Sequence, residues 1–173
     1  MMEPVPAKFR DNAVLRFIYH LIDKVGMVAS LIVFILIAIL LYGVIMRYAV
    51  GAPSVWVSEL SGLLYACYFL VGGAYALIHN EHVNVNIFRA RLSERHQAML
   101  DLVTWIWFYL MMGVLFWLGI KYAYASIIRF ERSSTVWGAY VWPVKLMLPV
   151  SALLMLLGGA IKTYSDIRTI LRK

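Results

Sequence analysis

The longest uncharged stretch of this sequence runs from residue 25 to residue 46 and is closed by Arg47. About 20 consecutive apolar residues are enough for a helix to cross the hydrocarbon of a bilayer. Three more stretches have that character. Residues 60–78 follow Glu59, residues 102–120 lie between Asp101 and Lys121, and residues 141–161 hold one charge, Lys145. Each run is continuous rather than alternating. A strand facing lipid on one side would alternate, whereas a helix satisfies its own backbone in lipid. The expected fold is therefore an all-α integral membrane protein with four transmembrane helices, and residues 1–173 form a single membrane domain.

Composition supports this. Hydrophobic residues make up 63% of the chain and charged residues 14%, against about 25% charged in ordinary soluble domains. A soluble globule of this size could not cover so much apolar surface, and a disordered chain would carry far less of it. The single cysteine, Cys67, excludes an internal disulfide framework and a Cys-rich metal site. The net charge of +7 comes from basic residues at the ends of apolar runs, not from a block interleaved with aromatics, so nucleic acid is not an expected partner. Glu3, Asp11 and Asp23 precede a first run too long for a signal h-region, so that run is expected to stay as an anchor.

Basic residues also set the orientation. Lys8, Arg10, Arg16, Lys24, Arg89, Arg91, Arg95, Lys162, Arg168, Arg172 and Lys173 fall on one side, and Arg47, Lys121, Arg129, Arg132 and Lys145 on the other. Eleven against five places the N- and C-termini in the cytoplasm. Within residues 1–24, Val14, Ile18 and Leu21 share one helical face with Val25, while Arg16, His20 and Asp23 share another. That pattern predicts an N-terminal amphipathic interfacial helix that turns into the first span. His82, Asn84 and Asn86 alternate with apolar neighbours and suggest an extended stretch, with a short interfacial helix as the alternative and Ser93 as an N-cap beyond it.

The chain offers little for catalysis. It has no phosphate loop, no H-E-x-x-H and no nucleophilic triad, so no enzyme, cofactor or metal site is expected. Gly72–Gly73 and Gly158–Gly159 suit close helix packing. The four histidines, His20, His79, His82 and His96, all fall at the cytoplasmic ends of spans, which suits hydrogen-bonded interfacial groups better than a haem held at mid-membrane. Glu59, Arg47 and Lys145 lie at one level near the outer surface. A charge inside the boundary must snorkel or pair, so Glu59 is expected to pair with Arg47 or Lys145, or each to reach the headgroups alone. Tyr48, Trp56, Trp137, Tyr140 and Trp142 form an outer aromatic belt. Trp105, Trp107, Tyr109, Phe116 and Trp117 surround the third span and call for lipid, sibling helices or a partner protein. Pro143 fits the first turn of the fourth span, and Pro149 should loosen it.

Several of these segments together resemble the small, Q-type membrane subunit of tripartite ATP-independent periplasmic (TRAP) transporters. They are Arg47–Tyr48, Trp56-x-x-Glu59-Leu60, Gly72-Gly73-Ala74, His82-Val83-x-Val85-Asn86, Ser133–Ser134, Trp142–Pro143 and Pro149. The likeness covers nearly the whole chain. It departs at Asn86, where an acid is usual, at Gly138-Ala139-Tyr140 in place of a proline, and at Asn80–Glu81 in place of an arginine. The resemblance implies a bacterial inner-membrane subunit that binds and stabilises a large multi-helix TRAP subunit. It would act as a scaffold for sodium-coupled uptake of an organic acid of the sialic acid or C4-dicarboxylate type, delivered by a periplasmic substrate-binding protein. Structural or interface candidates are then Arg47, Trp56, Glu59, His82, Trp142, Pro143, Lys145 and Pro149. The outer loop residues Arg129, Glu131 and Arg132 are candidates for docking the binding protein, and the apolar faces for meeting the large subunit or membrane lipids. Two rivals remain open: a haem-bearing or quinone-reactive anchor of a respiratory enzyme, and an autonomous four-helix exporter.

Overall fold

A computed structural model describes residues 13–79 and 94–171, apart from the side chains of residues 94–102, 165 and 169–171. Among the described residues there are four helices: α1 (Ala13–Tyr48), α2 (Val55–Ile78), α3 (Glu94–Ile128) and α4 (Trp142–Leu171). All four are long and apolar enough to span a membrane. Each overruns its uncharged core because a helix remains the cheapest way to satisfy its backbone until the chain is well into water. At 1.5 Å per residue the 36 residues of α1 extend about 54 Å, well beyond the roughly 30 Å of hydrocarbon.

Turn chemistry sets the helix ends. After Tyr48 the chain reverses through Gly51, at φ 74°, and reaches Ser54 at the head of α2 in an extended conformation. Only glycine occupies that left-handed region without strain. The end of α3 is different. The N–H of Glu131 bonds the carbonyl of Ser126 at 3.0 Å, and that of Phe130 bonds Ile127 at 3.0 Å. This is the Schellman arrangement, with Phe130 at φ 45° where glycine is usual.

In space the helices follow the order α1, α2, α4, α3. The main contacts are α1 with α2, α2 with α4 and α4 with α3, while α1 touches α4 only lightly. Glycines bring the axes together. A Cβ on Gly26 would lie 2.2 Å from the Tyr75 ring, and one on Gly159 would lie 2.7 Å from Phe108. Gly158 faces the other way, onto Leu77, Ile78 and Ile22. The pair Gly158–Gly159 therefore packs α4 on both sides, as expected. Gly72 does not behave this way, because it meets nothing within 4 Å. It opens into a groove of about 460 Å³ between α2 and α3, floored by Leu148, Ser151, Ala152 and Met155 of α4.

The buried core lies toward one end, where Tyr19, Ile22, Ala74, Ile78, Leu154 and Ile161 converge from α1, α2 and α4. This corrects the reading of the N-terminal segment. No turn separates an interfacial helix from the first span, because α1 is unbroken from Ala13 to Tyr48. Its inward face is also shifted: Ile18 and Val25 pack against the core as expected and Arg16 is exposed. Val14 and Leu21 are exposed, whereas Tyr19, Ile22 and Asp23 are buried. The packing of Gly26 against Tyr75 fixes that face, and the carboxylate three residues earlier goes in with it.

Candidate functional site

Two polar clusters stand at opposite ends of the helices. At the first end the α3–α4 connection folds back as a miniature hairpin. Arg132 bridges Tyr140 in antiparallel fashion, the N–H of Ser133 bonds Ala139 O at 2.8 Å, and the N–H of Val141 bonds Glu131 O at 3.1 Å. Gly138 takes φ 63° at the turn. The Thr135 hydroxyl is the hub: it accepts the Gly138 N–H at 3.4 Å and donates to Oε2 of Glu59. Lys145 Nζ donates to Glu131 Oε2 at 2.6 Å. The ammonium of Lys145 beside Glu131 holds that carboxyl below its ordinary range.

The expected pairing of Glu59 with Arg47 or Lys145 is thus replaced by two separate contacts. Glu59 ties the head of α2 to the hairpin, and Lys145 ties the head of α4 to the same hairpin. Arg47 is exposed at the end of α1. Trp56 packs its ring on Tyr42 with centroids 5.5 Å apart. Trp142 and Pro143 form the first turn of α4, which runs on through the buried Pro149. A Cβ on Gly119 of α3 would lie 3.0 Å from the Pro149 nitrogen, so α3 closes on α4 where proline lacks an N–H. His82 lies outside the described residues, as do the stretch that follows it and Ser93.

Among the docking candidates the structure separates roles. The Arg132 guanidinium donates to the Tyr140 hydroxyl and lies 4.3 Å from the ring centroid, yet Arg132 stays exposed. Arg129 is exposed too. Glu131 faces Lys145 and holds the hairpin together. The tip of the hairpin is apolar, with Val136 95% exposed and Trp137 beside it.

At the other end, three contacts join the helices, and none was singled out from the sequence. Asp23 of α1, 3% exposed, places Oδ1 3.3 Å from Nε2 of His79 at the end of α2. Trp105 Nε1 of α3 donates to Asp166 Oδ2 of α4 at 2.8 Å. Tyr109 and Thr163 share a hydroxyl hydrogen bond of 2.9 Å across the same helix pair. The aromatics of α3 therefore divide. Trp105, Phe108 and Tyr109 face α4, while Trp107 and Trp117 remain exposed. The faint signals were Asp23 in register with Tyr19, Gly26 and Ala29, and Asp166 lying 61 residues from an aromatic partner on another helix.

The geometry bears on the rival readings. His79 turns Nδ1 to the Tyr75 carbonyl at 3.0 Å and places Nε2 3.3 Å from Asp23 Oδ1, so the ring faces a backbone carbonyl and a carboxylate within the α1–α2 contact. Among the described residues, no group of three or more histidine, cysteine or acidic side chains could hold a metal ion. The polar groups described here are spent joining helices, and the groove is lined mainly by apolar and small side chains.

Comparison with known proteins completes the picture. Residues 36–169 match the family described as tripartite ATP-independent periplasmic transporters, DctQ component. A curated relative from Vibrio cholerae serotype O1, the sialic acid TRAP transporter small permease protein SiaQ, is 32% identical over 113 residues. That match covers 63% of this chain and 65% of the relative, a little under two thirds of its length. The family match takes in most of the chain, from the middle of α1 to the last turns of α4. On this evidence the chain, a multi-pass protein of the bacterial inner membrane, belongs to the DctQ component family of tripartite ATP-independent periplasmic transporters.

Proposed function

We propose that this chain is the small permease subunit of a TRAP transporter. In this reading it is a fixed scaffold that binds and stabilises the large transport subunit during sodium-coupled uptake of an organic acid. The observation that carries the reading is how the helices spend their polar groups. Asp23, Glu59, Trp105, Tyr109, Lys145 and Asp166 each join one segment of the chain to another. Carriers place ionisable groups around a mid-membrane binding site. A scaffold needs rigid helices and uncovered apolar faces, and α1 and α3 at the two ends of the series supply them. Leu31, Phe34 and Leu41 on α1 and Trp107, Leu110 and Trp117 on α3 are all more than half exposed.

The large subunit then covers one of these faces, and lipid covers the rest together with the groove between α2 and α3. Both termini lie in the cytoplasm, which puts the 129–141 hairpin on the periplasmic side. There Arg129, Arg132 and the Val136–Trp137 tip face the periplasmic substrate-binding protein. The substrate belongs to the sialic acid or C4-dicarboxylate class, with sialic acid favoured by the name of the Vibrio cholerae relative.

The test is reconstituted uptake in proteoliposomes containing the large subunit and the binding protein. Adding this chain should confer sodium-dependent accumulation of a carboxylate substrate. Equal uptake without it would contradict the scaffold role. Single cysteines at positions 34 and 107 identify the face. A crosslink to the large subunit from one position and not the other assigns it.

A further inference from the structure

Lys121 interrupts the outer face of α3. It lies in line with Val114, Trp117, Tyr124 and Ile128, which recur at helical spacing and are all more than half exposed. Lys121 is exposed with them. Its depth follows from the packing of α3 on α4. Gly119 meets Pro149, so the two helices are level there. Lys121 is two residues nearer the 129–141 hairpin than Gly119, and Lys145 is four residues nearer than Pro149. At 1.5 Å per residue, Lys121 stands about 3 Å deeper than Lys145 and about 12 Å below Arg129.

The side chain reaches deeper still. Its ammonium lies 5.0 Å from the centroid of the Trp117 ring, one turn farther from the hairpin and within range of a cation–π contact. A lysine near the edge of the hydrocarbon ordinarily snorkels the other way, toward the headgroups. The ring attracts the cation without cancelling its charge, and an unbalanced charge in lipid is costly. The chain supplies no carboxylate at this depth. Residues 102–130 and 132–165 hold no Asp or Glu, and residues 25–46 and 60–78 are uncharged. The carboxylates described at the hairpin end, Glu59 and Glu131, are engaged with Thr135 and Lys145.

We infer that the α3 face around Lys121 is the docking surface for the large membrane subunit, which presents a membrane-embedded carboxylate to the Lys121 ammonium. The inference rests on the scaffold reading above and selects between the two faces left open there. The exposed face of α1 carries no charge from residue 25 to residue 46. Lipid tails are as apolar as leucine, so such a face gains nothing by exchanging lipid for a partner unless the packing is close. A cation at hydrocarbon depth discriminates. It penalises lipid tails and accepts the register in which a partner helix brings an anion to it. Lipid phosphates stand at the headgroups, the direction from which this side chain turns away.

The test uses the full chain with its partners in native membranes. A photoreactive benzoylphenylalanine at position 114 or 124 flanks Lys121, and one at position 34 probes α1. Irradiation should join positions 114 and 124 to the large subunit, in a span that carries Asp or Glu, and position 34 to lipid. Lys121→Glu should lower recovery of the large subunit, per amount of this chain, by about tenfold or more, whereas Lys121→Arg should leave it unchanged. Changing the partner's acid to lysine should restore recovery with Lys121→Glu. Lys121→Met, which keeps the stem and removes the charge, serves if Lys121→Glu does not accumulate. Protein adducts from position 34 with lipid alone at 114 and 124 would overturn the proposal, and so would full recovery with both Lys121→Glu and Lys121→Met. The absence of a large membrane protein from the adducts of all three positions would overturn the scaffold reading itself, and this inference with it.

Discussion

Gly26→Ala tests whether the α1–α2 contact is as tight as the fold requires. The added Cβ would fall 2.2 Å from Tyr75 Cδ2, 2.6 Å from Cγ and 2.7 Å from Cβ. Rotating the ring relieves the first of these but not the last, because Tyr75 Cβ is fixed to the α2 backbone. Carbon atoms rest at about 3.5–4.0 Å, so α2 must retreat by about 1 Å. Overpacking on that scale costs about 1–3 kcal/mol. Alanine also raises helix propensity by about 1 kcal/mol over glycine, and that gain has to be removed from the comparison. Gly113→Ala is the control, since a Cβ there meets nothing within 4 Å. The difference between the two variants isolates the clash. It should amount to about 1–3 kcal/mol, roughly a 5- to 150-fold change in the folding equilibrium constant. Reversible unfolding in mixed detergent micelles, followed by tryptophan fluorescence, measures it. Equal stability of the two variants would refute the packing argument.

Three further outcomes follow from particular contacts. Trp105→Phe keeps the ring but removes the N–H that donates to Asp166, and should cost about 1.5–3 kcal/mol, read by the same unfolding assay. Phe130→Gly relieves the left-handed backbone at the end of α3 and should stabilise the chain by about 1 kcal/mol; a loss of stability would mean that the exposed phenyl ring has a partner. The Glu131–Lys145 contact predicts a pH dependence. The carboxyl is held below its ordinary value near 4.5, so its contribution is present above that value and fades as pH falls through the lowered one. Hydrogen exchange at Ser133 and Val141 should accelerate over that acid window in the native chain and not in Glu131→Gln.

The fold was legible in outline because the bilayer imposes one simple rule on the backbone. The uncharged runs 25–46, 60–78 and 102–120 lie inside α1, α2 and α3, and 141–161 starts one residue before α4. Charge at the margins was harder to read. Asp23 looked like part of a solvated face because it shares one with Arg16 and His20 on a helical wheel. Its partner is 56 residues away on α2, and no local period records that. The same blindness affected Glu59. The sequence offered Arg47 and Lys145 at the same level, but the hairpin interposed Thr135 and Glu131. The two glycine pairs look alike in sequence, yet Gly158–Gly159 is clamped between helices and Gly72 faces open space. Only the splaying of α2 from α3 decides between them.

Co-purification tests the central claim most directly. The chain, tagged at its C-terminus, is extracted from its native membrane in mild detergent, and whatever accompanies it is identified and counted by mass spectrometry. The scaffold account predicts one large multi-helix membrane protein at one-to-one stoichiometry. Recovery of the chain alone, or with flavin, iron–sulfur or haem subunits, would contradict it.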